Sequence, residues 1–477
     1  MLPFICLTLC VALANAKPWW PFWKHGAEVF VPNVGLVQGS TSKVGDITVS
    51  QYLGIPFAQN PPPRFGAPQP ARFAGLVNAT AYGPTCIQQG NSSTNVVESE
   101  SCLSLNIVTP PNSHRKSALP VMVWIYGGNL ATGGTNISYY NGSSMAANQN
   151  VIFVSINYRV NIFGFSGTPD LPLNEVNAGF LDQRLALQWV RDNIEAFGGC
   201  PDKVTIFGES AGGFSVEQLV TLPPDPLTFR AAILESRAFQ AQGAVNGTTP
   251  WAAAVAALGC TGQDELACMR SKDPFEIKAK VARIGFGPVL DNATYTNATT
   301  QAIAAGTTAK IPILIGTNAN EGTTLALSFT SIPAQIITDY EFTCITGLYS
   351  AQLQNASYEL WRYYYNASFP NTTPFPGAGA YHGSEIPEVF GTYPTANATQ
   401  QQVALSKYMQ TAWANFAKDP SAGPAQDWPQ FGAGGLIQAL GANGSYGGSV
   451  ITAASIEGIC TVYDGLIETV GYRRSVV

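Results

Sequence analysis

Residues 201–220, PDKVTIFGESAGGFSVEQLV, place a serine hydroxyl where it can become reactive. The apolar run at 204–207 reads as a buried strand and stops at Gly208-Glu209-Ser210-Ala211-Gly212, before a stretch of helical character. G-x-S-x-G between strand and helix is the pattern of a nucleophile elbow: the turn strains the serine backbone, and glycine on either side avoids collision with strand and helix. Ser210 is therefore expected at the carboxyl end of a strand. A serine hydroxyl is a weak nucleophile at neutral pH, so it needs an imidazole to take its proton and a carboxylate to orient the imidazole.

Only three histidines occur: His25, His114 and His382. His25 in WWPFWKHG and His114 in PPNSHRKS read as surface positions, which leaves His382, in AYHGSEIPEVF, as the candidate base by elimination. With the acid between serine and histidine in the chain, the search covers residues 211–381. Glu321, in IGTNANEGTT, follows an apolar run ending at Ile315 and falls in a loop at a strand's end. Asp291, in GPVLDN, is the rival, although its hydrogen bonding could simply hold its own loop. Loop placement favours Glu321. A tetrahedral intermediate also needs backbone N–H groups aimed at its oxyanion. Ala211 follows the nucleophile, and Gly127-Gly128-Asn129 follows the apolar run at 121–126, so Gly128, Asn129 and Ala211 are the candidate donors.

These loops need a rigid frame. Apolar runs at 121–126, 151–157, 204–207, 229–234 and 311–315 read as buried strands, with LNIVTP at 105–110 another strand. Residues 182–197 carry Leu185, Leu187, Trp189, Val190 and Ile194 at helical spacing, and 401–418 form a second amphipathic helix. Alternating strands and helices predict an α/β fold with a mainly parallel central sheet flanked by helices. Residues 335–420 read as largely helical, and 246–310 as helices with a cysteine pair. Phe163, Phe165 and Phe286 read as core. No linker, repeat or low-complexity tract divides 17–477, so one domain with insertions is expected there.

Residues 1–16 end in Ala14-Asn15-Ala16, a small-x-small pattern that predicts a cleaved signal peptide and secretion. Nothing later reads as a membrane span, so no integral membrane association is expected. Charged residues are only 11%, less than half the usual share of about a quarter, so something else must keep the surface soluble. Twelve Asn-x-Ser/Thr sequons supply a candidate: Asn78, Asn91, Asn136, Asn141, Asn246, Asn292, Asn297, Asn355, Asn366, Asn371, Asn397 and Asn443. Roughly four would arise by chance, so a heavily N-glycosylated secreted protein is expected. A net charge of −6 argues against nucleic acid as a partner. Seven cysteines follow residue 16, and an odd number in an oxidising compartment leaves at least one free. Spacing does not fix their connectivity. No CxxC or His-rich cluster suggests a metal, and no organic cofactor is implied. The aromatic cluster around Trp19 and Trp23 reads as packing against the domain.

GESAGG at 208–213, NAGFLDQRLALQWVRDNIEAFGG at 177–199, ESESCLSLNIVTP at 98–110, WIYGGN at 124–129, NYRVNIFGF at 157–165, NEGT at 320–323 and YHGSE at 381–385 together resemble the type-B carboxylesterase family, which includes cholinesterases and the larger fungal lipases. The resemblance runs from about residue 28 towards the C-terminal region, is densest over 98–236, and is strongest to fungal secreted members. It implies an α/β-hydrolase fold, a triad of Ser210, Glu321 and His382, an oxyanion loop at Gly128, Asn129 and Ala211, and disulfides Cys86–Cys102 and Cys260–Cys268. Cys344 with Cys460 is the further pairing expected, with Cys200 free. Three positions depart from the family pattern. Asn129 stands where a glycine or alanine is common, so its side chain should narrow the pocket or bind substrate; Arg237 and Asn161 replace glycines. The loop between Cys86 and Cys102 is much shorter than the family's lids and lacks an aromatic residue, so neither a cation-binding platform for choline nor an interfacial flap is expected from it. The expected activity is lidless hydrolysis of short-to-medium or aromatic carboxylic esters through an acyl-serine. A triacylglycerol lipase, a non-catalytic esterase-like binding protein and, less favoured, a serine peptidase are the alternatives. The partner is an ester substrate; oligomeric state is left open.

Overall fold

A computed structural model of the chain describes residues 27–72, 75–90, 96–237, 248–262, 264–327 and 332–463. The expected signal peptide, the Trp19–Trp23 cluster, His25, Asn91 and Asn246 lie outside the described residues.

Eleven strands form the central sheet: β1 (Ser40–Val44), β2 (Ile47–Pro56), β3 (Ser104–Thr109), β4 (Leu119–Ile125), β5 (Ile152–Ile156), β6 (Gly199–Glu209), β7 (Ala231–Glu235), β8 (Ile313–Asn318), β9 (Leu360–Tyr365), β10 (Leu436–Leu440) and β11 (Gly448–Thr452). Their order is β11-β10-β9-β8-β7-β6-β4-β5-β3-β2-β1. From β5 through β10 every pairing is parallel, and antiparallel strands close both edges. β5, β7 and β8 are buried along their whole length, which is why they read as continuous apolar runs rather than alternating ones. The helices Ala178–Asn193, Ala211–Thr221 and Gln400–Lys418 pack on this sheet. The arrangement is the α/β-hydrolase fold.

Parallel pairing aligns the carboxyl ends of β4, β6 and β8 along one edge of the sheet, where ligands of open α/β sheets bind. Register makes the alignment specific: Gly208 of β6 pairs with Ile125 of β4, and Glu209 with Glu235 of β7. An aromatic cluster underlies that edge, with Trp124 4.9 Å from both Phe207 and Phe390. Phe390 ends the helix Ile386–Phe390 just after His382, so the histidine loop is moored to the strand that carries Ser210.

The region 335–420 is not uniformly helical. It contains β9, and Arg362 in the middle of LWRYYY obscures that strand's apolar pattern. The Arg362 guanidinium is buried, paired with Glu457 at 2.6 Å and placed 5.0 Å from the Phe431 ring centre. Disulfides join Cys86–Cys102, Cys260–Cys268 and Cys344–Cys460, and Cys200 is unpaired. Phe163, Phe165 and Phe286 are buried core residues. Arg237 is buried against Glu217, with its guanidinium 4.4 Å over the Tyr349 ring. Asn161 takes φ +48° and donates from its side chain to Ile87 O, filling a position that glycine could not bond.

Beyond β5, Arg159 donates to Asp182 through Nε (2.8 Å), Nη2 (2.7 Å) and its backbone N–H (2.9 Å), with both side chains buried. Removing one partner of such a pair strands a charge. Asp182→Ala is expected to lower unfolding free energy by about 3–5 kcal/mol, read from the urea midpoint; an unchanged midpoint would show the pair to be dispensable.

Candidate active site

Ser210 joins β6 to the helix Ala211–Thr221 with φ +57° and ψ −124°, a conformation that costs a non-glycine residue about 1–3 kcal/mol. Its N–H donates to Glu235 O and its carbonyl accepts from Phe214 N–H, both at 2.9 Å, so neighbouring strand and helix enforce the strain. The flanking glycines are sterically required: a Cβ at Gly208 would lie 2.5 Å from Ile125 O, and one at Gly212 only 2.0 Å from the same oxygen.

Glu321 lies three residues beyond β8. Its Oε1 accepts from Asn318 N–H at 2.7 Å, and its Oε2 lies 2.7 Å from His382 Nδ1. The carboxylate is fully buried. The next residue, Gly322, lets this loop pack closely on the segment at Ala334, because a Cβ there would meet Ala334 O at 1.9 Å. The imidazole also packs against Phe342, with ring centres 4.9 Å apart and planes tilted by 53°. Phe342 belongs to the π-helical turn Thr338–Thr343, which ends at the disulfide-bonded Cys344.

His382 Nε2 lies 3.2 Å from Glu209 Oε1, so the outer nitrogen reaches the elbow through the residue preceding Ser210 rather than through the serine hydroxyl itself. Hydrogen bonds of a serine–histidine pair are often long without substrate and tighten when it binds. Two further buried carboxyl groups, Glu235 and Glu385, cluster with Glu209 around the contact. Glu209 and Glu235 end adjacent strands, and Glu385 accepts from Asn318 Nδ2 and from Ser236 Oγ, the latter at 3.4 Å. Glu235 Oε1 accepts from Trp413 Nε1 at 2.7 Å. Burial pushes the Glu209 and Glu385 carboxyls up, and drives Glu235 to about 8. Burial alone would lower the His382 imidazole, but the charges of Glu209, Glu321 and Glu385 and the Glu321 hydrogen bond outweigh it and raise the group to about 9.

The glycine loop beyond β4 closes on the elbow. A Cβ at Gly127 would sit 2.9 Å from Ser210 Cβ, and Gly128 has φ +102° with Thr132 O 2.5 Å from where a Cβ would be. Gly128 O accepts from Ala131 and Thr132 N–H at 3.0 Å each, which fixes the loop's peptide planes. Asn129 is exposed at φ +58°, a left-handed conformation that asparagine tolerates. A cavity of about 260 Å³ opens here, lined by Gln88, Gly127, Gly128, Thr132, Asn136 and Tyr140 with their neighbours.

The other candidates lie elsewhere. Asp291 accepts from the N–H groups of Ala293, Thr294 and Tyr295 and from Thr294 Oγ1, so it organises its own loop. His114 is exposed in a turn. Sequence reasoning missed Glu209, Glu385 and Phe342. A usable signal existed for Glu209 and Glu235: each is a carboxylate closing a buried apolar run.

The carboxylesterase family model matches residues 26–334 and 329–435. The chain is 33% identical to secreted lipase 5 of Gibberella zeae over 80% of this chain and 84% of that protein. It is 33% identical to para-nitrobenzyl esterase of Bacillus subtilis, covering 85% and 92%, and 32% identical to chlorogenic acid esterase of Aspergillus niger, covering 82% and 83%. The chain belongs to the carboxylesterase family and is a serine ester hydrolase.

With three histidines in the chain, the His382 imidazole can be followed by NMR. It should titrate well above the ordinary value of about 6.5, and Glu209→Gln, which removes the adjacent negative charge, should move its titration to lower pH. An unmoved titration would show that Glu209 does not hold the imidazole.

Proposed function

We propose that this carboxylesterase-family chain is a secreted hydrolase of carboxylic esters, working through an acyl-serine at Ser210 in one catalytic domain, residues 17–477, that follows a cleaved leader at 1–16. The 2.7 Å contact of Glu321 Oε2 with His382 Nδ1, with Nε2 turned to the elbow, carries the reading. Neutral His382 takes the Ser210 proton as Oγ bonds to the ester carbonyl carbon, and Glu321 holds the tautomer and stabilises the imidazolium. Backbone N–H groups of Gly128, Asn129 and Ala211 receive the oxyanion, aided by the helix N-terminus at Ala211. His382 returns the proton to the departing alcohol, then activates water to release the acid.

Secretion is supported by the three disulfides, by the relative described as a secreted lipase, and by the exposure of eight sequon asparagines: Asn78, Asn136, Asn292, Asn297, Asn355, Asn366, Asn397 and Asn443. Asn141 and Asn371 are half-buried. No helix of the described residues is long and apolar enough to cross a membrane. Among the described residues that line the cavity Tyr140 is the sole aromatic, which favours short-to-medium or aromatic esters over choline esters. The lipase relative favours a second reading, triacylglycerol hydrolysis. Rates on p-nitrophenyl esters from acetate to palmitate separate the two: a maximum at short or medium chains supports the esterase, and a maximum at palmitate the lipase.

Ser210→Ala and His382→Ala should each lower kcat by about 10⁴- to 10⁶-fold while leaving the unfolding midpoint near wild type. Near-normal turnover in either folded variant would overturn the mechanism. Because only neutral imidazole can accept the proton, kcat/KM should rise with pH along a limb displaced above the ordinary histidine range.

A further inference from the structure

The sequon at Asn136 differs from the other described sequons in its position. Asn136 lines the same cavity as Gly127 and Gly128, the loop that abuts Ser210, and none of the other described sequon asparagines does. We infer that an N-linked glycan on Asn136 overhangs the ester-binding cavity and acts as its lid, excluding bulky esters. The inference rests on the proposed secretion.

The attachment point is exposed and rigid. Thr85 Oγ1 donates to Asn136 Oδ1 at 3.2 Å, which orients the amide; its NH₂, the group that carries a glycan, makes no hydrogen bond to the described residues. The preceding residue is anchored: Thr135 N–H and Oγ1 both donate to Asn157 Oδ1 at 3.1 Å. Asn157 Nδ2 in turn donates to Pro84 O and Cys102 O at 3.1 and 3.2 Å. Asn136 is therefore held by Thr85, and the residue before it is held through Asn157 to the backbone at Pro84 and Cys102, which fixes the attachment point at the rim of the cavity. The apolar Ile137 and Tyr139 beside it are 38% and 42% exposed, giving the first sugars a surface to lie on. A large hydrophilic group at this rim admits small esters and obstructs large ones.

The test uses the full chain secreted from a glycosylating eukaryotic host. Peptide mapping after enzymatic glycan release in ¹⁸O-water reads occupancy at each sequon. Asn136→Gln and Ser138→Ala both remove the sequon, whereas Ser138→Thr keeps it. The expected result is an occupied Asn136. In both sequon-less variants, kcat/KM for a bulky ester relative to p-nitrophenyl acetate should rise on the order of tenfold, with wild-type selectivity in Ser138→Thr. An unoccupied Asn136 with other sequons occupied would overturn the inference and leave secretion standing; no occupied sequon anywhere would overturn both. Unchanged selectivity in the two sequon-less variants, or a change confined to Asn136→Gln, would also overturn it, since the effect would then not belong to the glycan.

Discussion

A buried carboxylate against a half-buried imidazole, Glu321 with His382 at 2.7 Å, is the contact on which the rest of the site depends. Taking a carboxylate out of water is costly unless its oxygens are occupied, and here one accepts a backbone N–H from Asn318 while the other meets the imidazole. The ring is then defined by three contacts: Glu321 at Nδ1, Glu209 at Nε2 and the tilted ring of Phe342 against it. Glu209 has a double consequence. Ionised, it holds His382 as imidazolium, and raising the pH removes that proton and frees the imidazole for the base role proposed for it. The two groups titrate as a unit.

The same edge of the sheet is packed to the limit that backbone sterics allow. Gly127, Gly208, Gly212 and Gly322 each leave less than 3.0 Å for a Cβ, and in every case backbone oxygen is the nearest obstacle. The Ser210 turn and the glycine loop thus interlock, and the strained Ser210 is held by its neighbours in both sequence and space. Such interlocking is how a site keeps catalytic groups within a few tenths of an ångström of working geometry.

Much of this was legible in the sequence for a physical reason. Strands buried on both faces must be apolar throughout, so β4 through β8 announce themselves, and the loops beyond β4, β6 and β8 carry the glycines and the acid that the proposed chemistry requires. What hid was charge inside the core. Arg362 breaks the apolar pattern of β9, and its partner Glu457 stands far along the chain. Glu209 sits at the variable position of G-x-S-x-G, where the motif attaches no meaning to it. Glu385 stands three residues after His382 with no pattern to mark it, and Phe342 reaches His382 through tertiary folding alone, by a π-helical turn that no periodicity predicts. Arg237, where glycine is common, makes sense only with Glu217 and Tyr349 in place.

The central claim is that one hydroxyl in this chain is made nucleophilic by its surroundings. Intact-mass analysis after treatment with an organophosphate, followed by peptide mapping, tests it directly. One adduct per chain, on the peptide containing Ser210 and lost when His382 is replaced, is the predicted result. An unmodified protein, or an adduct on another residue, would contradict it.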